Sequence, residues 1–203
     1  MSEPFVNWAV ARHAYPGESE SGDRHVVLPF ETGVLLGVVD GLGHGEEAAK
    51  AARTAVEILE AHPTERLVAL VRRCHEGLVR SRGVVMSLAT YDAVESKLTW
   101  VGIGNVEGVL LRADRPANRP GENLVLRRGV LGLEIPQVLH TWVISISPGD
   151  TLVLATDGVR SDFVWNVARG RPPQQMADRI LAFHRRQDDD ALALVVEFRG
   201  VGQ

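Results

Sequence analysis

The chain has 203 residues, a formal net charge of −4, 24% charged residues and 45% hydrophobic residues. That balance suits one globular domain over residues 1–203 with a full core, and it lacks the basic tract of a dedicated nucleic-acid binder. The single cysteine, Cys74, excludes a disulfide framework; no charged leader opens the chain and no apolar run reaches the ~20 residues of a membrane span, so a cytoplasmic protein is expected.

Residues 5–11 read as a first strand, and the polar stretch from Tyr15 to Asp23 as a loop. Residues 24–30 and 34–39 then form a hairpin about Glu31-Thr32-Gly33. This pairing brings Asp23, before one strand, and Asp40, after the other, to the same sheet edge. Asp40 opens the turn Gly41-Leu42-Gly43-His44-Gly45, and the alanine-rich run 48–61, led by Glu46 and Glu47, reads as a helix with acids at its positive end. A carboxylate in this setting can hold a divalent cation, act as a general base or cap the helix.

His62-Pro63 stops that helix and Thr64 is the expected N-cap of a second, whose apolar residues Leu67, Leu70, Val71, Cys74 and Leu78 share one face; Ser81-Arg82-Gly83 closes it. Cys74 is expected as a packing thiol on that face. Strands follow at 84–91, 97–103, 107–112 and 124–127, with an exposed loop over 114–123. Residues 138–146 and 151–155 are expected as a hairpin about Ser147-Pro148-Gly149-Asp150, and the second strand runs into Thr156-Asp157-Gly158. Pro172-Pro173 opens a last helix over 174–186, followed by Asp188-Asp189-Asp190 and a final strand over 191–198. The expected fold is α+β: two packed antiparallel β-sheets, a β-sandwich, flanked by α-helices.

Aspartates thus stand at strand boundaries in four places: Asp23, Asp40, Asp157 and the run 188–190. Carboxylates brought together need a cation to neutralise them, and an oxygen-only donor set favours Mg²⁺ or Mn²⁺ over zinc. Two such ions ~3.5–4 Å apart would activate water and clamp a phosphoryl group. Strand alternation would point Asp189 opposite to Asp188 and Asp190.

Ser21-Gly22-Asp23, Val39-Asp40-Gly41-Leu42-Gly43-His44-Gly45, Gly104-Asn105, the block from Pro148 to Gly158 and Asp189-Asp190-Ala191 fall in the order found in PPM-type metal-dependent protein serine/threonine phosphatases. The chain resembles that family over residues 21–198, and within it the SpoIIE-like branch. The resemblance implies a centre of two Mn²⁺ or Mg²⁺ ions, with Mn²⁺ preferred, at one end of the sandwich. Asp40 would bridge the ions, the Gly41 carbonyl would bind one, Asp157 and Asp189 would complete the second ion's shell, and Asp23 would hold a metal-bound water or ligate directly. The partner it implies is a phosphorylated regulatory protein of stressosome-type bacterial stress signalling.

The match has departures. Gly22 stands where larger members carry a glutamate, Leu42 where they carry a histidine, and Leu192 where the terminal motif has threonine. His44 is the nearby candidate acid, and Arg12 and Arg24 are the candidates for a phosphate-binding arginine. These departures support the alternative of a catalytically weak or inactive PPM-fold binding module. Nucleotide binding by the glycine turn is a third reading, against which stands the missing P-loop lysine. Trp8, Trp100, Trp142 and Trp165 are read as packing residues. His13, His25, His62, His75, His140 and His184 read as surface or helix-end residues, and Arg169, Arg171, Arg179, Arg185 and Arg186 as a solvated helix face, with guidance of an acidic phosphoprotein toward the site as the alternative.

Overall fold

The computed structural model describes residues 2–3, 5–18, 20–116, 121–165, 167 and 170–200. In chain order the elements are β1 (Ser2–Glu3), β2 (Val6–His13), β3 (Asp23–Phe30), β4 (Gly33–Gly41), α1 (Glu46–Ala61), α2 (Leu67–Gly77), β5 (Val84–Asp92), β6 (Lys97–Ile103), β7 (Glu107–Leu111), β8 (Glu122–Asn123), β9 (Trp142–Ser145), β10 (Thr151–Ala155), α3 (Pro173–His184) and β11 (Ala191–Phe198). A 3-10 turn over Ser161–Trp165 precedes α3.

Two antiparallel sheets form a sandwich, one ordered β1-β2-β11-β10-β7-β8 and the other β3-β4-β5-β6-β9. Between them lie side chains such as Trp100, Leu36, Leu154 and Phe198, all fully buried. Each large apolar side chain removed from water in this way contributes about 1.5–3 kcal/mol. A second core joins the outer face of the five-stranded sheet to α1 and α2, and a third joins the six-stranded sheet to α3. Strands buried on both faces lose polar alternation, and β4 and β11 are accordingly almost continuously apolar.

Helix α1 lies close to its sheet because the face it buries consists of Ala48, Ala49, Ala51, Ala52 and Ala55 with Leu59. The approach is tight enough that a Cβ on Gly41 would sit 2.2 Å from the Ala48 carbonyl oxygen. The end of β4 is therefore backed directly by the helix that follows it. Cys74 is buried on α2, and burial pushes its thiol up to about 12, as befits a packing residue.

Several expected elements are corrected. Residues 138–155 do not form a hairpin: β9 pairs with β6 in one sheet and β10 with β7 and β11 in the other. The intervening turn carries the chain between sheets, held by buried Asp150, whose carboxylate accepts from Ser147 N at 3.0 Å, Ala113 N at 2.8 Å and the Arg112 guanidinium at 2.9 Å. Of the strand expected over 138–146, Trp142–Ser145 remains.

Residues 124–127 also cross between sheets, with Leu124 N donating to Gly108 O on β7 and Arg127 N to Gly102 O on β6. Thr64 is not an N-cap; it lies in a turn closed by Glu65 N donating to His62 O, and α2 begins at Leu67 after Arg66. Of the loop expected over 114–123, residues 117–120 lie outside the described residues, as does Arg169. Among the described residues no helix is long and apolar enough to cross a membrane.

Candidate functional site

The β3–β4 register makes Asp23 and Asp40 direct cross-strand partners, as the hairpin predicted. At the same end of the other sheet, β10 delivers Thr156 and Asp157 while β11 starts at Ala191, immediately after Asp190. A hydrogen bond joins the two sheets here: Thr156 Oγ1 donates to Asp23 Oδ2 at 2.7 Å and accepts from Leu192 N at 2.9 Å. Asp23 is buried, Asp40 and Asp189 are half-buried, and Asp157 is exposed.

The electrostatics record the convergence. Burial, followed by the charges of Asp190, Asp157 and Asp189, raises Asp23 to about 8 against the pull of the Thr156 hydroxyl. Asp40 is pushed well above the usual carboxylate range, first by desolvation and then by Asp23, Asp157, Asp189 and Asp190. Desolvation and the charge of Asp157 also raise Asp189. Burial and the neighbouring carboxylates thus disfavour the ionised form of each of these three acids.

Asp190 has a different position from its neighbours. It is buried, and its two carboxylate oxygens accept from Tyr15 N at 2.7 Å and Gly22 N at 2.8 Å. It therefore fastens the loop before Asp23 to the segment before β11. The alternation argument for 188–190 fails because these residues precede the strand; Asp188 is exposed, and Asp189 turns back to accept from Asp190 N at 2.9 Å.

This latch closes the position before Asp23. A Cβ on Gly22 would meet Ala48 Cβ and Gly41 O at 3.2 Å and Asp190 Oδ2 at 3.3 Å. Asp157 in turn accepts from Asn105 Nδ2 at 2.7 Å. Thr156 and Asn105 stand within the sequence motifs, but the motifs carry no sign of these two contacts. The capping role of Asp190 had no sequence signal, since it depends on contacts with Tyr15 and Gly22 across more than 160 residues.

His44 is exposed, stacked on Tyr15 with ring centroids 4.3 Å apart, and its Nδ1 lies 3.0 Å from Glu18. Arg24 is committed to the carbonyls of Ser21 at 2.7 Å and Asp23 at 3.0 Å. Arg12, on the same depression of about 350 Å³ that Ser21 and Arg24 line, has no acidic partner among the described residues. His184, expected at a helix end, does end α3 but is buried there, its Nδ1 2.9 Å from Asp162 Oδ1.

Among the described residues no three acidic, histidine or cysteine side chains form a ready chelate. The chemistry of the donor set nevertheless fits a hard divalent cation: carboxylates and a backbone carbonyl, all oxygen donors, with Asp23 and Asp40 raised by burial and by neighbouring carboxylates.

The chain is 21% identical over 175 residues to the phosphoserine phosphatase RsbX of Bacillus subtilis (strain 168), covering 86% of this chain and 85% of that protein. It superposes with a TM-score of 0.87 and 27% identity on a structure from work on the bacterial stressosome as a modular system adapted to control secondary messenger signalling, covering 95% of this chain and 99% of that one. It superposes with a TM-score of 0.85 and 18% identity on RsbX in complex with magnesium, covering 98% of both chains. The family model described as stage II sporulation protein E (SpoIIE) matches residues 31–199. The chain therefore belongs to the SpoIIE family and is a PPM-type phosphatase domain.

Proposed function

We propose that this protein is a cytoplasmic phosphatase that hydrolyses phosphoserine or phosphothreonine on a regulatory protein of stressosome-type bacterial stress signalling. The observation that carries the reading is the gathering of Asp23, Asp40, Asp157 and Asp189 at one end of the sandwich, with Asp23 and Asp40 pushed upward by burial and by neighbouring carboxylates. Two Mn²⁺ or Mg²⁺ ions, Mn²⁺ by preference, would be held by Asp40, the Gly41 carbonyl, Asp157, Asp189 and Asp23. When bound, they supply Lewis-acid charge to the phosphoryl oxygens and lower the pKa of the attacking water.

The chain's own residues supply position and charge. Thr156 holds one oxygen of Asp23 and leaves the other for the site. Asn105 orients Asp157 in the same way. Arg12, without an acidic partner, pairs with the phosphoryl oxygens as they arrive. As the water oxygen bonds to phosphorus on one side and releases one proton to solvent, the bond from phosphorus to the serine or threonine oxygen breaks, and His44, set by Tyr15 and Glu18, gives that oxygen a proton and regains one from solvent.

A second reading, the binding module, is favoured by two specific observations: the acids form no ready chelate, and the position of the missing glutamate is closed. Phosphate release from an aryl phosphate and from phosphoserine peptides separates the two. The phosphatase gives turnover with Mn²⁺ or Mg²⁺ that chelator and Asp40→Asn each abolish, a higher KM in Arg12→Ala and a lower kcat on peptides in His44→Gln. No release from any substrate with either metal, by protein that melts cooperatively, leaves the binding module.

A further inference from the structure

The 3-10 turn Ser161–Trp165 starts four residues after Asp157 and is fixed to the same framework. Arg160 N donates to His184 O at 2.8 Å, Arg186 N donates to Gly158 O at 2.7 Å, and Asp162 meets His184 at 2.9 Å. The turn is thus a rigid ridge beside the acidic site. On one side lies a groove of about 320 Å³ floored by Phe163, Met176 and Ile180; on the other, one of about 390 Å³ includes Leu124, Leu126 and Trp165.

The two exposed aromatic side chains among the large apolar residues stand on this face: Trp165 is 70% exposed and Phe183 61%. Burial elsewhere does not hold them there, so folding gains little from them. Aromatic rings exposed beside apolar grooves are the composition of a protein contact.

The charge of the face selects the occupant. Among the described residues, 160–186 holds Arg160, Arg171, Arg179, Arg185 and Arg186 against Asp162 and Asp178, in a chain whose net charge is −4, and the one acid lining either groove, Glu107, is held by the Ser161 hydroxyl. Both aspartates are engaged, Asp162 by His184 and Arg160 and Asp178 by Gln174. Arg179 lies over the Phe183 ring at 5.2 Å, so one side chain offers charge where its neighbour offers apolar surface. An acidic partner is repelled by the acids at the sandwich end and attracted here.

We propose that this ridge and its grooves are the docking surface for the phosphoprotein substrate, and that the segment received is acidic and carries an apolar anchor. The proposal rests on the phosphatase reading and names what that site recognises beyond the phosphoryl group. It replaces the solvated-face reading of these arginines with a complementary one.

The test measures binding, so that it does not depend on turnover. Fluorescence anisotropy follows two labelled phosphoserine peptides, one flanked by leucine and aspartates and one by leucine and lysines, on Asp40→Asn protein with Mn²⁺. The acidic peptide is expected to bind at least tenfold more tightly, Arg179→Glu to remove most of that preference, and Phe183→Ala to weaken both peptides, neither substitution lowering Tm. Equal binding of the two peptides, a preference untouched by Arg179→Glu, or affinities untouched by Phe183→Ala overturns the proposal. So does sedimentation showing a dimer that Phe183→Ala dissociates, since the face would then be covered by a second copy. Wild-type turnover of an aryl phosphate decides the phosphatase reading separately.

Discussion

Asp23 and Asp40 are opposed across the β3–β4 ladder, so the backbone fixes two carboxyls side by side before any ligand arrives. Like groups in that position cannot both ionise cheaply, and the fold carries the cost wherever the metal is absent.

Stability without metal therefore depends on pH in a defined direction. Asp23 ionises near 3.8 when unfolded and near 8 when folded, so between those values the folded state binds the extra proton. Stability is full below pH 3.8 with respect to this group and declines as pH rises toward 8, by at most about 1.4 kcal/mol per pH unit per carboxyl. In chelator, Tm should fall between pH 5 and pH 8; Mn²⁺ or Mg²⁺ should restore it at pH 8, and Asp23→Asn should flatten the slope. A Tm that holds level in chelator across that range contradicts the raised carboxyl.

Thr156 holds the two sheets together at the site. Thr156→Val keeps the shape but strips Asp23 Oδ2 of its donor and Leu192 N of its acceptor, both buried. Leaving buried polar groups unpaired costs about 1–3 kcal/mol each. Urea unfolding should show a loss of that order in Thr156→Val and little in Thr156→Ser, which keeps the hydroxyl. A Thr156→Val protein as stable as wild type would contradict the role given to the hydroxyl.

Much of this arrangement is readable from sequence because it is local. The hairpin that opposes Asp23 to Asp40 follows from two apolar runs and a short turn, and α1 follows from its alanines and leading glutamates. The strand β11 follows from its uninterrupted apolar run. What sequence does not show is which sheet a strand joins. β9 and β10 look like a hairpin about Pro148-Gly149, but Asp150 ties the turn to residues 112 and 113 and sends the strands to opposite sheets. The same limit hides Asp190, whose partners lie at the other end of the chain. A triple aspartate gives three equal letters, and only the fold makes one a latch, one a site residue and one a surface charge.

Asp189 and Asp190 should separate by the property they control. Asp190→Ala frees two backbone N–H groups, at Tyr15 and Gly22, and should lower Tm and speed proteolysis between residues 14 and 22. Asp190→Asn keeps one good acceptor and should fall between it and wild type. Asp189→Asn removes a carboxylate raised by desolvation and by Asp157 and should change Tm in chelator little, while weakening Mn²⁺ binding measured by calorimetry at least tenfold. If Asp190→Asn weakens the metal more than Asp189→Asn does, the two roles are reversed.

Gly22 tests whether the missing glutamate of larger family members can be put back. The space is closed: Ala48 Cβ, Gly41 O and Asp190 Oδ2 all stand 3.2–3.3 Å from where a Cβ would be. Gly22→Ala forces those neighbours to give by a few tenths of an ångström, and overpacking of this kind costs about 1–3 kcal/mol. Gly22→Glu adds a further carboxylate against Asp190, whose oxygens already hold the Gly22 and Tyr15 amides. The expected result is a lower Tm for both substitutions, with Gly22→Glu the worse, and no gain in Mn²⁺ affinity. Widening the pocket should reverse part of the loss, so Gly22→Glu with Ala48→Gly should melt higher than Gly22→Glu alone. A Gly22→Glu protein that melts like wild type and binds Mn²⁺ more tightly would show that the latch yields, with Asp190 replaceable as the group that fills the space before Asp23.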